Sequence, residues 1–289
     1  MLNRPPPDRR SVSRRSVIRS AAQVALASLA APYVITSSRA FAADPAPDAE
    51  GYIPLFDGKT LAGWHKNPEK IGHGTGGKWE VKDGAVVGEQ DPPNSGNGGI
   101  LLTDRKFGDF ELLLEMNPDW GIDSGLFLRS NDKGQAIQMM VDYHDGGNVG
   151  HLYGEGLGGW SARPYDISGE IGYGGNLVSL FAEPNKNFQP DHLVSTATGE
   201  EFTKAWKIDE WNKVKVRCTG KYPKITTWIN DVKIAEWDGE TFKHPQYDRE
   251  KLLAAIGTEG SIAVQVHGGK GAWPAGAKCR WRNIRIKAL

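Results

Sequence analysis

From residue 52 onward, apolar residues recur at every second position over short stretches, and turn residues separate one stretch from the next. Residues 78–81 and 85–87 flank Asp83-Gly84, a two-residue hairpin signal because both turn positions need positive φ. Further strand-like runs cover 100–103, 110–116, 125–130, 136–143, 211–218, 225–229, 232–237, 261–266 and 280–287. Val214, Val216 and Cys218 share one face, as do Ile262, Val264 and Val266. That period of two predicts antiparallel strands with one face on a core and the other in water. Only residues 249–256 suggest a helical turn, read as a connector. The pattern predicts an all-β fold, a two-sheet antiparallel sandwich or jelly roll.

Residues 146–205 break this rhythm, with the pairs Gly146-Gly147, Gly158-Gly159 and Gly174-Gly175 and three prolines. A structureless stretch of that length inside a compact domain is expected to wrap one end of the sandwich and wall a site.

The first residues change the picture of charge and compartment. Arg14-Arg15 precede an uncharged stretch over 20–38, and Ala40-Phe41-Ala42 follows, which predicts a twin-arginine signal over 1–42 cleaved after Ala42. The stretch falls short of the ~20 strongly apolar residues a membrane span needs, so no membrane association is expected after cleavage. A disordered lead-in is expected over 43–50 and a single domain over 51–289. Residues 1–42 hold seven arginines and one aspartate, so the remainder carries 28 basic and 34 acidic side chains. That mildly acidic chain, without a basic stripe, argues against nucleic acid as a partner, and the twin-arginine signal is what predicts a periplasmic or secreted location. Cys218 and Cys279 are compatible with a bridge or with two buried thiols.

Four blocks carry a family resemblance: residues 51–64 (GYIPLFDGKTLAGW); Trp79-Glu80-Val81-Lys82-Asp83-Gly84; Phe107-Gly108-Asp109-Phe110-Glu111-Leu112 followed by residues 123–129 (DSGLFLR); and residues 260–268 (GSIAVQVHG) followed by 281–286 (WRNIRI). In order and spacing they resemble the 3-keto-disaccharide hydrolase family, whose members are concanavalin A-like jelly rolls. The resemblance implies a carbohydrate substrate and cleavage of 3-keto-glycosides. One position departs: where the family has an aromatic-Glu-x-Gln run, this chain has Gln135-Ala136-Ile137-Gln138, so Gln138 is retained and the glutamate is replaced by Ala136.

Conventional sandwich glucanases place their carboxyls as Glu-x-Asp-x-x-Glu on one strand, and no such run occurs. A ketone at carbon 3 opens another route, because it acidifies the carbon 2 proton. A base removes that proton, the aglycone leaves by elimination and water adds to the enone. This needs a base, a donor for the enolate oxygen and an acid.

Arg129, at a strand end, is a candidate to hold the keto oxygen, or else a structural ion pair. His267 suits a base, a metal ligand or a structural histidine. Asp142 and His144, two apart on an expected strand, suit a base and its orienter, two ligands of a divalent ion, or a solvated strand end. Glu155, beside Tyr153, is a candidate substitute for the missing glutamate. Trp120 and Trp160 lie among glycines and suit a sugar platform, whereas Trp79, Trp211 and Trp281 belong to packing. Asp123 and Ser124 suit hydroxyl contacts or a turn before Gly125. The alternatives to a 3-keto-glycoside hydrolase are a non-catalytic lectin-like binding domain, which Ala136 favours, and a conventional glycosidase or lyase.

Overall fold

The computed structural model describes residues 45–289, so the twin-arginine segment and its cleavage point lie outside the described residues. In chain order the strands are β1 (Ile53–Pro54), β2 (Trp64–Lys66), β3 (Lys78–Lys82), β4 (Ala85–Glu89), β5 (Gly99–Thr103), β6 (Phe110–Pro118), β7 (Gly125–Ser130), β8 (Ala136–Val141) and β9 (Val149–Glu155). They continue as β10 (Ser161–Ala162), β11 (Tyr165–Ile171), β12 (Leu177–Pro184), β13 (Ser195–Thr196), β14 (Asn212–Thr219), β15 (Lys224–Ile229), β16 (Val232–Asp238), β17 (Ser261–Val266) and β18 (Cys279–Ala288). Helices α1 (Gly199–Ala205) and α2 (Arg249–Ile256) are short connectors.

Two antiparallel sheets form the sandwich that the alternation predicts. One runs β13-β16-β15-β14-β6-β18-β4-β3 with β1 added on β18, and the other runs β10-β9-β8-β7-β17-β5-β2. Consecutive strands alternate between the sheets repeatedly, which is the jelly-roll manner of building two layers from one chain. The expected hairpin closes through Asp83 and Gly84 at φ 52 and 76.

The core lies between the layers. Phe110, Leu112, Leu114 and Met116 of β6 alternate inward beside Val214, Val216 and Cys218 of β14 and Trp281 and Ile286 of β18. They meet Leu126, Leu128, Met139, Leu152, Val264 and Val266 from the second sheet. Burying each such side chain contributes on the order of 2 kcal/mol. Cys218 and Cys279 are free, buried thiols, and burial pushes both up to about 12.

Two expectations about exposure and order change. The faces of β7, β8 and β17 that point away from this core were expected in water, yet those strands are buried throughout. A second, smaller apolar cluster of Ile100, Leu102, Phe127, Ala136 and Ala263 sits on that outer face beneath Ile71. A roof of three loops covers it: Gly98 N–H donates to His73 O, Gly269 N–H to Gly96 O, and Gln90 Nε2 to His267 O.

The stretch 146–205 is not structureless. It holds β9 to β13 and α1, and β9 is an interior strand of the second sheet. Glycine hid it from the pattern: a side chain at Gly154 would meet Trp160 Nε1 at 2.2 Å, so the strand needs glycine where an apolar residue would have signalled it. Asp48, in the segment ahead of β1, accepts from Tyr52 N–H at 2.9 Å and pairs with Arg285 at 2.8 Å. Among the described residues no helix is long and apolar enough to cross a membrane.

Candidate active site

The outer face of the second sheet, under the three-loop roof, gathers polar side chains that the alternation aims away from the core. Pairing of β8 with β9 sets Gln138 opposite Tyr153 and Ala136 opposite Glu155. Gln138, 3% exposed, donates to Ser124 O at 3.1 Å and lies 3.4 Å from Gln265 Oε1 on β17. Gln265 Nε2 is 3.0 Å from His73 Nε2, and Glu155 Oε1 is 3.3 Å from the same nitrogen. The His73 ring meets the His267 ring edge-on, with centroids 4.6 Å apart.

At the entrance to β7 stands Asp123. Its Oδ2 is 3.9 Å from His267 Nε2 and 4.0 Å from His144 Nε2. Both rings contact a backbone carbonyl through Nδ1, His267 that of Gly268 at 2.5 Å and His144 that of Asp145 at 2.9 Å. A carbonyl only accepts, so in each neutral ring the proton is on Nδ1 and the Nε2 lone pair faces Asp123. Asp142 completes the group. Its Oδ1 is shielded from solvent and has no hydrogen-bond partner. Burial, then the negative charge of Asp123 and a hydrogen bond with it, hold the Asp142 carboxyl well above the usual range. Two carboxyls in contact cannot both ionise cheaply, and it is the Asp142 carboxyl that is shifted toward its protonated form. Burial, followed by the charge of Glu155, also raises the Tyr153 hydroxyl.

A cavity of about 350 Å³ opens beside this group, lined by Trp120, Asp123, His144, Asp145 and Gly271. Larger open depressions lie elsewhere, about 660 Å³ around His192 and His244 and about 500 Å³ around Trp228 and Glu115. Neither includes a carboxyl with a buried, unpartnered oxygen; among the described residues Asp142 alone has one. No group of three or more His, Cys, Asp or Glu among the described residues is arranged to hold a metal ion.

Most of the residues singled out in the sequence therefore converge: Gln138, Asp142, His144, His267, Trp120, Asp123, Tyr153 and Glu155. Asp142 and His144 do so through a loop rather than a strand face, because β8 ends at Val141. Three residues do not join the site. Arg129 is 1% exposed at the far end of β7, donating to Gly108 O at 3.0 Å, Gly220 O at 2.9 Å and Asp109 Oδ1 at 2.9 Å, so its guanidinium is enclosed by these structural partners and closed to a substrate oxygen. Trp160 is no sugar platform: it is fully buried and stacked on Trp237, with centroids 5.0 Å apart. Ser124 is fully buried and spends its hydroxyl on Gln265 O at 2.6 Å, away from any ligand. His73 escaped the sequence reading because it lies in a loop without periodicity; a histidine between Gly72 and Gly74 was its only signal.

Residues 51–287 match the family described as 3-keto-alpha-glucoside-1,2-lyase-like domain. The chain belongs to this family. A curated 3-keto-disaccharide hydrolase of Bacteroides thetaiotaomicron is 38% identical to it over 89 residues, which span 28% of this chain and 28% of the relative. Among solved structures, a Parabacteroides distasonis protein provisionally assigned as a glycosyl hydrolase is 21% identical, with a TM-score of 0.48 over 82% of this chain and 99% of that one. A Bacillus licheniformis beta-glucanase is 10% identical, with a TM-score of 0.43 over 82% of this chain and 97% of that one.

Proposed function

We propose that the chain is an exported enzyme that cleaves 3-keto-glycosides, with 3-keto-disaccharides as substrates, by elimination and rehydration. Family membership supplies the substrate class, and the observation that carries the chemistry is the shielded, unpartnered Oδ1 of Asp142, a carboxyl raised by burial and by the charge of Asp123. Leaving-group departure from carbon 1 needs a proton, and a carboxyl whose pKa is raised by burial suits a general acid. Trp120, T-shaped against Tyr143 at the cavity wall, presents an apolar ring to a pyranose face. His144 lines the same cavity, and His267 Nε2 lies 3.9 Å from Asp123, which also lines it; in their protonated forms the two rings set a cation near the enolate oxygen, the role first given to Arg129.

The deciding experiment incubates the purified chain with a 3-keto-disaccharide and with its unoxidised parent, each with and without a chelator, and follows sugar release. Release from the keto sugar alone is expected. Release from the parent instead makes it a conventional glycosidase, and binding without release makes it a lectin-like domain. Loss of release with chelator assigns a divalent ion to the site.

A further inference from the structure

One titratable pair on the outer face has no role in the chemistry above, His73 and Glu155. The Gly268 N–H points at His73 Nδ1 from 3.5 Å. The other ring nitrogen, Nε2, stands 3.3 Å from Glu155 Oε1. The side chain of His73 is 10% exposed and lies edge-on to Phe127 at 6.5 Å and to His267 at 4.6 Å, which fixes the ring plane. Gln265 Nε2 stands 3.0 Å from the same nitrogen, so the imidazole edge is held between the Gln265 amide and the Glu155 carboxylate. The Glu155 side chain is 21% exposed, held on one edge and open on the other. It is linked to the acid pair through His73, whose ring meets His267, which in turn lies 3.9 Å from Asp123.

We propose that Glu155, oriented by His73, is the base that removes the carbon 2 proton. This assignment rests on the 3-keto reading of the site. The C2–H bond breaks, its electron pair enters the C2–C3 bond as the ketone becomes an enolate, and Glu155 takes the proton. The enolate then collapses, a C1–C2 double bond forms, the C1–O bond breaks and Asp142 protonates the departing oxygen. Water adds its oxygen to C1 and returns a proton to Asp142, while Glu155 returns its proton to C2. Both acids end as they began. His73 is a positioning residue in this scheme.

The register offers the test, because Ala136 is the cross-strand partner of Glu155. Side chains of such partners leave the same face from Cβ atoms about 5 Å apart. A carboxylate moved to position 136 therefore reaches the space that Glu155→Ala vacates. In 3-keto-disaccharide turnover, Glu155→Gln is expected to lower kcat about 100-fold or more with KM within about threefold. The double variant A136E/E155A is expected to regain at least about tenfold over E155A. Glu155→Gln with more than about a third of wild-type kcat overturns the role, as does a folded double variant no faster than E155A. Failure of the wild-type chain to release sugar overturns the 3-keto reading and the base together, whereas release with an unaffected Glu155→Gln overturns the base alone.

Discussion

Asp142 lies against the negative charge of Asp123 while its own Oδ1 meets no polar partner, and burial and that charge raise its carboxyl. Its folded pKa is raised, so the stability it contributes is present below its ordinary range and is lost as pH rises through the raised value. Asp142→Asn keeps the shape and abolishes that loss. The melting temperature of the variant minus that of the wild type should therefore increase from pH 4 to pH 8, and a flat difference would falsify the raised carboxyl. Turnover should fall about 100-fold for disaccharides and much less for an aglycone that leaves without protonation.

Arg129 holds two loops against the end of β7 through Gly108 O, Gly220 O and Asp109. Replacing it with Leu strands those acceptors and should cost about 3 kcal/mol in urea unfolding. The rate per folded molecule should stay within about twofold. A folded variant with turnover cut by a hundredfold or more would return Arg129 to the site.

The two loop tryptophans separate by readout. Trp120→Ala should raise KM about tenfold with little change in stability, since its ring lines the cavity. Trp160→Ala should cost about 3–5 kcal/mol, because it removes a fully buried ring stacked on Trp237 and edged by Tyr247 and Phe242. The opposite assignment of effects would reverse their roles.

His151 on β9 is fully buried between Asn148 Oδ1 at 3.0 Å and Thr196 Oγ1 at 2.8 Å, and burial depresses it to about 3. The unfolded chain takes up a proton near pH 6.5 that the folded chain refuses until about pH 3. Stability from this group is therefore complete above about pH 6.5 and falls as pH drops toward 3, by about 2 kcal/mol on reaching pH 5. Urea unfolding of wild type and His151→Gln at pH 7.5 and 5 tests it. The variant should lack that share of the acid loss, and an identical loss in both proteins rules His151 out as its source.

Strand alternation carried the sandwich, because a period of two is written in neighbouring residues such as Val214, Val216 and Cys218. The Asp83-Gly84 turn was equally local. Motif order marked His267, Asp123 and Gln138, since each lies in or beside a strand whose face the pattern sets, and Trp120 was marked by its place in a loop beside Gly121. β9 was missed because its packing requirement is for glycine, at a position defined only by Trp160 six residues later. Arg129 was misjudged because its partners, Gly108 and Gly220, are 21 and 91 residues away, and nothing local distinguishes a buried structural fork from a substrate clamp.

By itself, then, the sequence determined the all-β layering, the family and the strands that carry polar side chains, all of which follow from short-range periodicity and ordered motifs. Tertiary structure decided which polar groups meet. The β8–β9 register set Glu155 opposite Ala136, the loop roof carried His73 onto a face read as solvated, and desolvation beside Asp123 raised the Asp142 carboxyl. Register, burial and the charge of a neighbour are properties of contacts between distant residues, and a side chain acquires them only when the sheet closes.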